Sequence, residues 1–245
     1  MAHKMIKNLL LLRGWTRTQG HWGEFPQRLK ILLPELKIHF LDLPGFGTEA
    51  HRSSPRRLSA ITDDLRRRWL DRNPSCREAS GLLGISMGAM LAMDWGDRYR
   101  EDFERFILIN PSASDLSPFY DRINLFQADN FLRAALAPSP RVREEQILRI
   151  CVNQKLEELP YEPTSFSRLQ AFNQLLAASR YRSPPLWSKP TLVLSSIQDR
   201  LVAARAHHAV AFKLRASVIS HPQAGHDLPL EDPDWTAKAI KEWLK

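Results

Sequence analysis

The sequence predicts an α/β fold: a mostly parallel sheet of about six strands with flanking helices and one helical insertion. Three observations carry that expectation. Short apolar runs alternate with stretches whose apolar residues recur every three or four positions. The runs are apolar nearly throughout, as in strands buried on both faces of a parallel sheet. The alternation is interrupted once, between Pro111 and Pro185, where no strand pattern occurs and prolines punctuate several amphipathic stretches.

Taken in order, residues 6–12 form the first expected strand and Arg13-Gly14-Trp15-Thr16 the loop that leaves it. Lys4 and Lys7 ahead of four leucines have the look of a secretion signal, but the apolar run is too short and no small-residue cleavage site follows. Trp22, Phe25 and Leu29 mark a helix with Pro26 near its start. Residues 36–41 are the second strand, ending in the turn-rich Asp42-Leu43-Pro44-Gly45-Phe46-Gly47. Leu58, Ile61, Leu65 and Trp69 share one helix face. Ser59 is the expected N-cap of that helix. Asp63 and Asp64 early and Arg66 to Arg68 late match its dipole, so this basic run reads as a solvated helix end, and Asn73-Pro74-Ser75 closes it.

Residues 79–84 are the third strand, 87–99 a helix, and 106–109 lie in the fourth strand. The insertion carries helical patterns at 125–137, 142–156 and 166–179. Residues 191–195 return to the sheet, 203–214 are helical, and 216–219 make a last short strand. Asp232 caps a final helix with Pro233 in its first turn and Trp235, Ile240, Trp243 and Leu244 as packing positions. The expected division is a core first part at 1–114, a helical lid at 115–185, and a core second part at 186–245.

Composition narrows the function. The chain has 245 residues, 43% hydrophobic and 25% charged, which fits one α/β domain with an insertion and argues against disorder. Its two cysteines, Cys76 and Cys151, form no metal or redox spacing, so a reducing, cytoplasmic setting is expected and no metal or cofactor is implied. No apolar stretch approaches membrane-spanning length. The net charge of +8 suits an acidic partner or an arginine-biased surface, and no RNA-binding fingerprint or zinc spacing accompanies it, so no nucleic-acid role is expected.

The chemistry centres on Gly84-Ile85-Ser86-Met87-Gly88. A strand, then Gly-x-Ser-x-Gly, then a helix makes a tight turn that lifts the serine clear of the sheet edge. The two glycines leave room for strand and helix to approach, and the helix N-terminus faces the position of a developing oxyanion. A nucleophilic serine needs a base, and the base needs an acid to orient it. Asp199 follows the fifth strand and His226 follows the last, in the chain order serine, acid, histidine. Both leave strand C-terminal ends, where ligands bind in open parallel sheets.

With these pieces, Arg13-Gly14-Trp15, the Asp42 to Gly47 segment, the elbow, the acid loop and Gly225-His226, the chain resembles the α/β-hydrolase superfamily over almost its whole length. Within it the chain is similar to small lidded serine esterases. The resemblance implies Ser86 as nucleophile, His226 as general base and Asp199 as its orienting acid, with oxyanion donors at the backbone N–H of Met87 and Trp15. It implies a metal-free, cofactor-free hydrolase of a small carboxylic ester or thioester, with an acidic acyl carrier protein as a candidate partner.

Two departures from the family pattern stand out. Arg13 replaces a customary histidine, either to hold the loop or to place positive charge beside the substrate. The chain also opens directly on the first parallel strand, without the usual leading antiparallel hairpin. Phe119 and Tyr120, with Phe126 and Phe131, are candidates for an acyl-binding wall or for the lid's own core. Arg122, Arg133, Arg141, Arg143 and Arg149 suit either carrier docking or solvated helix faces.

The rivals are Asp115 for the acid and His221 for the base. His207 and His208 read as surface or packing residues, and His21 as a helix-start residue near the first loop. Two other functions use the same fold: a lyase or C–C bond hydrolase on the same triad, and a binding protein without turnover.

Overall fold

The computed structural model describes residues 5–72, 79–154 and 167–244. Six parallel strands form one sheet in the order β2-β1-β3-β4-β5-β6. They are β1 Asn8–Leu12, β2 Lys37–Phe40, β3 Ser80–Ile85, β4 Arg105–Ile109, β5 Thr191–Ser196 and β6 Ser217–His221. The central strands are apolar on both faces because both faces are covered. On one side Leu10, Leu12, Leu82, Phe106, Leu108 and Val193 pack under α2 Leu58–Arg72, α3 Met87–Arg98 and α8 Ala204–Leu214. On the other, Leu9, Leu11, Leu83, Ile107 and Leu192 pack under α1 Phe25–Leu32 and α10 Pro233–Leu244. Each fully buried leucine contributes roughly 1.5–3 kcal/mol, so this three-layer packing is the main support of the fold.

The strand order reverses between β1 and β3. At that switch point the loops leaving the two strands splay apart and open a crevice at their C-terminal ends. Ser86 follows β3 there, and Arg13-Gly14-Trp15 follows β1.

Between β4 and β5 the chain leaves the sheet for a helical excursion, with α4 Phe119–Arg122, α5 Ala128–Leu136, α6 Pro140–Cys151 and α7 Arg168–Ser179. Ala134, Ile147, Leu148, Ile150 and Val152 form a small core there with Leu230 of α9 Leu228–Glu231.

Several local details differ from the sequence expectations. Helix α2 begins at Leu58, so Ser59 lies within its first turn and is not the N-cap. The helix expected over 125–137 divides into a 3-10 turn, Leu125–Gln127, and α5. The 3-10 turn starts after Asn124, whose side chain accepts the Phe126 N–H, and α5 takes over at Ala128. The short helices α4 and α9 span too few residues to show a period. Asp232 caps α10 as expected, accepting the Trp235 N–H at 3.0 Å. Cys76, the Asn73-Pro74-Ser75 stop and the end of the pattern over 142–156 lie outside the described residues.

Candidate active site

Ser86 sits at the apex of the β3–α3 turn with φ +56° and ψ −119°, a strained conformation for a residue with a side chain. Packing holds it there. A Cβ on Gly84 would collide with the Gly88 carbonyl, and one on Gly88 would collide with the carbonyl of Leu12 in β1. Only glycine allows α3 to lie so close to the sheet. The Ser86 N–H donates to Ile109 O at 2.9 Å, and the Ser86 carbonyl accepts from Ala89 N at 2.9 Å, which ties the turn to β4 and to α3. Gly14 brings the first loop alongside, since a Cβ there would lie 3.6 Å from Ser86 Oγ.

Asp199 lies in the turn after β5, its carboxylate out of solvent. Oδ1 accepts the N–H groups of Leu201 at 2.8 Å and Val202 at 2.9 Å. Oδ2 lies 2.6 Å from His226 Nδ1. Burial alone would raise this carboxyl's pKa; the imidazoles of His226 and His207 outweigh it and hold the group well below the usual carboxylate range. An ionised carboxylate can only accept, so His226 Nδ1 carries the hydrogen of this bond, and in the neutral ring the acceptor is Nε2. That Nε2 is buried and has no hydrogen-bond partner among the described residues. It belongs to a ring that lines a small recess together with Ser86, Gly14 and Trp15. The sheet thus brings Ser86, His226 and Asp199 from three loops to one edge.

The rival residues are engaged elsewhere. Asp115 accepts both the N–H and the hydroxyl of Ser183 at 2.7 Å. His221 Nδ1 accepts the Ala224 N–H at 2.8 Å, and its Nε2 lies 3.2 Å from Asp232. His21 is buried against Glu144, 3.6 Å from its carboxylate. His208 lies 3.5 Å from the Ser220 hydroxyl on the exposed side of α8. His207 is fully buried, with Nε2 3.4 Å from Asp199 Oδ2 and Nδ1 3.1 Å from Ser195 Oγ, so the acid lies between two imidazoles.

Trp15 and Met87 flank Ser86 in a larger cavity of about 400 Å3. Phe119 and Phe131 line it, whereas Tyr120 and Phe126 turn to solvent. Phe119 and Tyr120, neighbours on the single turn of α4, are both more than half exposed, and of the two Phe119 lines the cavity. Arg13 is buried and bonds Asp227 through both terminal nitrogens, at 3.1 and 2.5 Å, with its guanidinium over the Trp22 ring. Its charge is matched by this carboxylate. Arg13 thereby joins the first loop to the residue after His226.

Several supporting residues escape a reading of motifs. Asn110, at φ +48°, donates to the His226 carbonyl at 2.8 Å and to Ser196 Oγ at 3.0 Å, and accepts the Ser196 N–H. Glu231 accepts the Gly225 N–H at 2.7 Å, fixing the other side of the histidine loop. Only the positive φ of Asn110 offered a sequence signal, since asparagine tolerates it better than most residues.

The alpha/beta hydrolase family model matches residues 9–239. The chain belongs to this family. Its relatives include the pimeloyl-[acyl-carrier protein] methyl ester esterase of Xanthomonas oryzae pv. oryzae, 27% identical over 96% of this chain and 94% of that protein. Among solved structures it is similar to a thermophilic esterase from Thermogutta terrifontis, with a TM-score of 0.74 at 23% identity over 98% of this chain and 90% of that one. A hydrolase from Pseudomonas aeruginosa PA01 gives 0.74 at 21% identity, over 100% of this chain and 91% of that one. Within the matched residues 9–239, Ser86, Asp199 and His226 follow one another in that order along the chain.

Proposed function

We propose that this protein is a serine hydrolase of carboxylic esters or thioesters that works through an acyl-enzyme. The observation that carries the reading is the state of His226. Its Nδ1 is committed to Asp199 at 2.6 Å, while its buried Nε2 has no hydrogen-bond partner among the described residues and the ring lines the recess with Ser86. Ser86 Oγ attacks the ester carbonyl carbon as His226 Nε2 takes the hydroxyl proton. The oxyanion forms against the backbone N–H groups of Met87 and Trp15, each contributing about 3 kcal/mol. The tetrahedral species collapses as His226 returns the proton to the leaving alcohol or thiol. A water molecule then repeats the sequence on the acyl-serine, releasing the acid and restoring Ser86.

The name of the relatives supports a finer reading, in which the ester is carried on an acyl carrier protein. The net charge of +8 and the exposed Arg133 and Arg141 on the β4–β5 excursion suit such an acidic partner. In this reading the excursion serves as the lid. The free, buried Cys151 fits a reducing, cytoplasmic setting.

Ser86→Ala is expected to fold and to lose at least about a thousandfold in kcat on p-nitrophenyl esters, together with labelling by a fluorophosphonate. More than a trace of turnover in the purified variant would remove Ser86 as nucleophile. A carrier-bound methyl ester assayed beside the small esters tests the finer reading, which requires a salt-sensitive preference for the carrier.

A further inference from the structure

The large cavity is lined mainly by apolar side chains, with three serines, Ser86, Ser112 and Ser179, and a single cation among them. Arg122, at the end of α4, is 8% exposed and lines this cavity with Ser86, Phe119, Phe131 and Leu175. The other arginines buried beside the site have carboxylate partners: Arg13 has Asp227 and Arg17 has Glu144. Among the described residues no carboxylate lies within ion-pair distance of Arg122. Its bonds go instead to two carbonyls at the C-terminal end of α7, Nη1 to Ser179 O at 2.9 Å and Nη2 to Ala178 O at 2.8 Å. Ala178 and Ser179 line the same cavity.

Those carbonyls offset only part of the charge, since a helix end is equivalent to roughly half an elementary charge. They also use two of the five guanidinium N–H groups, and the buried Nε has no acceptor among the described residues. Asp115 offsets some of the charge at longer range, but makes no ion pair with Arg122 and accepts the N–H and hydroxyl of Ser183 instead. A cation kept in an apolar cavity without a counter-charge is costly unless something else supplies one.

We propose that Arg122 receives a carboxylate of the substrate: the protein hydrolyses half-esters, acyl chains esterified at the Ser86 end and ending in a free carboxylate at the Arg122 end. The planar guanidinium fork suits a carboxylate, and the apolar wall between suits the methylene chain. This rests on the esterase reading of Ser86, but not on a carrier. It competes with the carrier-bound reading above, because a carrier-bound methyl ester has both ends of its chain capped and offers Arg122 no carboxylate.

The test compares monomethyl and dimethyl esters of linear dicarboxylic acids of increasing length with the wild-type protein at pH 8, where the free carboxyl is ionised. At one optimum length the monomethyl ester should be preferred by roughly ten- to a hundredfold in kcat/KM, the range of a charge-assisted hydrogen bond. In Arg122→Gln the ratio of the two substrates should fall towards one, whatever the absolute rates, and Arg122→Lys should restore part of it. Calorimetric binding of the two esters to Ser86→Ala gives the same comparison without turnover, and stands if the Arg122 variants do not fold. Equal or better use of the dimethyl ester at every length, or of a carrier-bound methyl ester over the half-ester, overturns the proposal while leaving the esterase reading intact. Loss of p-nitrophenyl ester hydrolysis and of fluorophosphonate labelling in the wild type would instead overturn the reading beneath it.

Discussion

The sheet and the β4–β5 excursion are built on different physics. In the sheet, Leu9 to Leu12, Leu82, Leu83 and Ile107 to Ile109 are almost wholly buried, and few polar side chains are needed between the layers. In the excursion, Phe126 is 97% exposed, and Leu125, Leu132 and Leu136 are also exposed. Polar ties join it to the body. Arg17 pairs with Glu144 of α6, Trp15 Nε1 donates to Ala171 O of α7 at 2.8 Å, and the Asn124 N–H donates to Leu201 O at 2.9 Å. Apolar layers fix the serine rigidly, while the helices of the excursion are joined to the body largely by directional contacts, each of which can be broken singly. In the proposed function the first would hold the nucleophile and the second would admit substrate.

The largest difference should appear on adding one methyl group to the rigid side. In Gly88→Ala the new Cβ would meet the carbonyls of Leu12 and Arg13, and backbone cannot rotate aside as a side chain can. We expect a loss of at least about 3 kcal/mol of stability, with the purified yield and the chemical-denaturation midpoint both falling. A midpoint near wild type would mean that α3 is not pressed against β1 as described.

The same contrast decided what could be read from sequence. The strands were legible because burial on both faces leaves an almost uninterrupted apolar run, as in Leu9 to Leu12 and Phe106 to Ile109. The elbow was legible because its two glycines answer a local steric demand. The tethers were not. Arg17 and Glu144 are 127 positions apart, Arg13 and Asp227 are 214 apart, and nothing in either local pattern names the partner. Arg122 read as one of several surface arginines because a one-turn helix shows no periodicity, so its burial was invisible. His207 was assigned to a helix correctly, but its approach to Asp199 depends on how α8 crosses β5, which no spacing along the chain reveals.

Glu144 is the next place to cut. Burial would raise its carboxyl's pKa, but the Arg17 guanidinium and the neighbouring His21 pull it down to about 2 from an ordinary 4.5. A folded-state pKa below the unfolded one stabilises the protein above the unfolded value, and that contribution is lost as pH falls from near 4.5 towards 2. Glu144→Ala leaves the buried Arg17 without its carboxylate, and loss of one partner of such a pair costs about 3–5 kcal/mol. At pH 7 the loss should fall first on the excursion, seen as faster amide exchange in α5 and α6 while the sheet stays protected. As pH falls from 5 to 2 the gap in unfolding midpoint between variant and wild type should narrow. A gap that does not change with pH would show that the ionised pair is not what holds α6 down.

The smallest effect is expected on the outer face of the excursion. Phe126 keeps nearly all its surface in water, so truncating it removes little burial and opens no cavity. Phe126→Ala should leave the denaturation midpoint within about 0.5 kcal/mol of wild type, although the same truncation of a buried phenylalanine costs about 3–5 kcal/mol. Activity on a small p-nitrophenyl ester should be unchanged too, because Phe119 and Phe131, not Phe126, face the cavity. A large stability loss would mean that Phe126 folds back onto the protein in solution. Unchanged stability with a changed preference for acyl length would mean that the excursion moves far enough during turnover to bring this ring over the substrate.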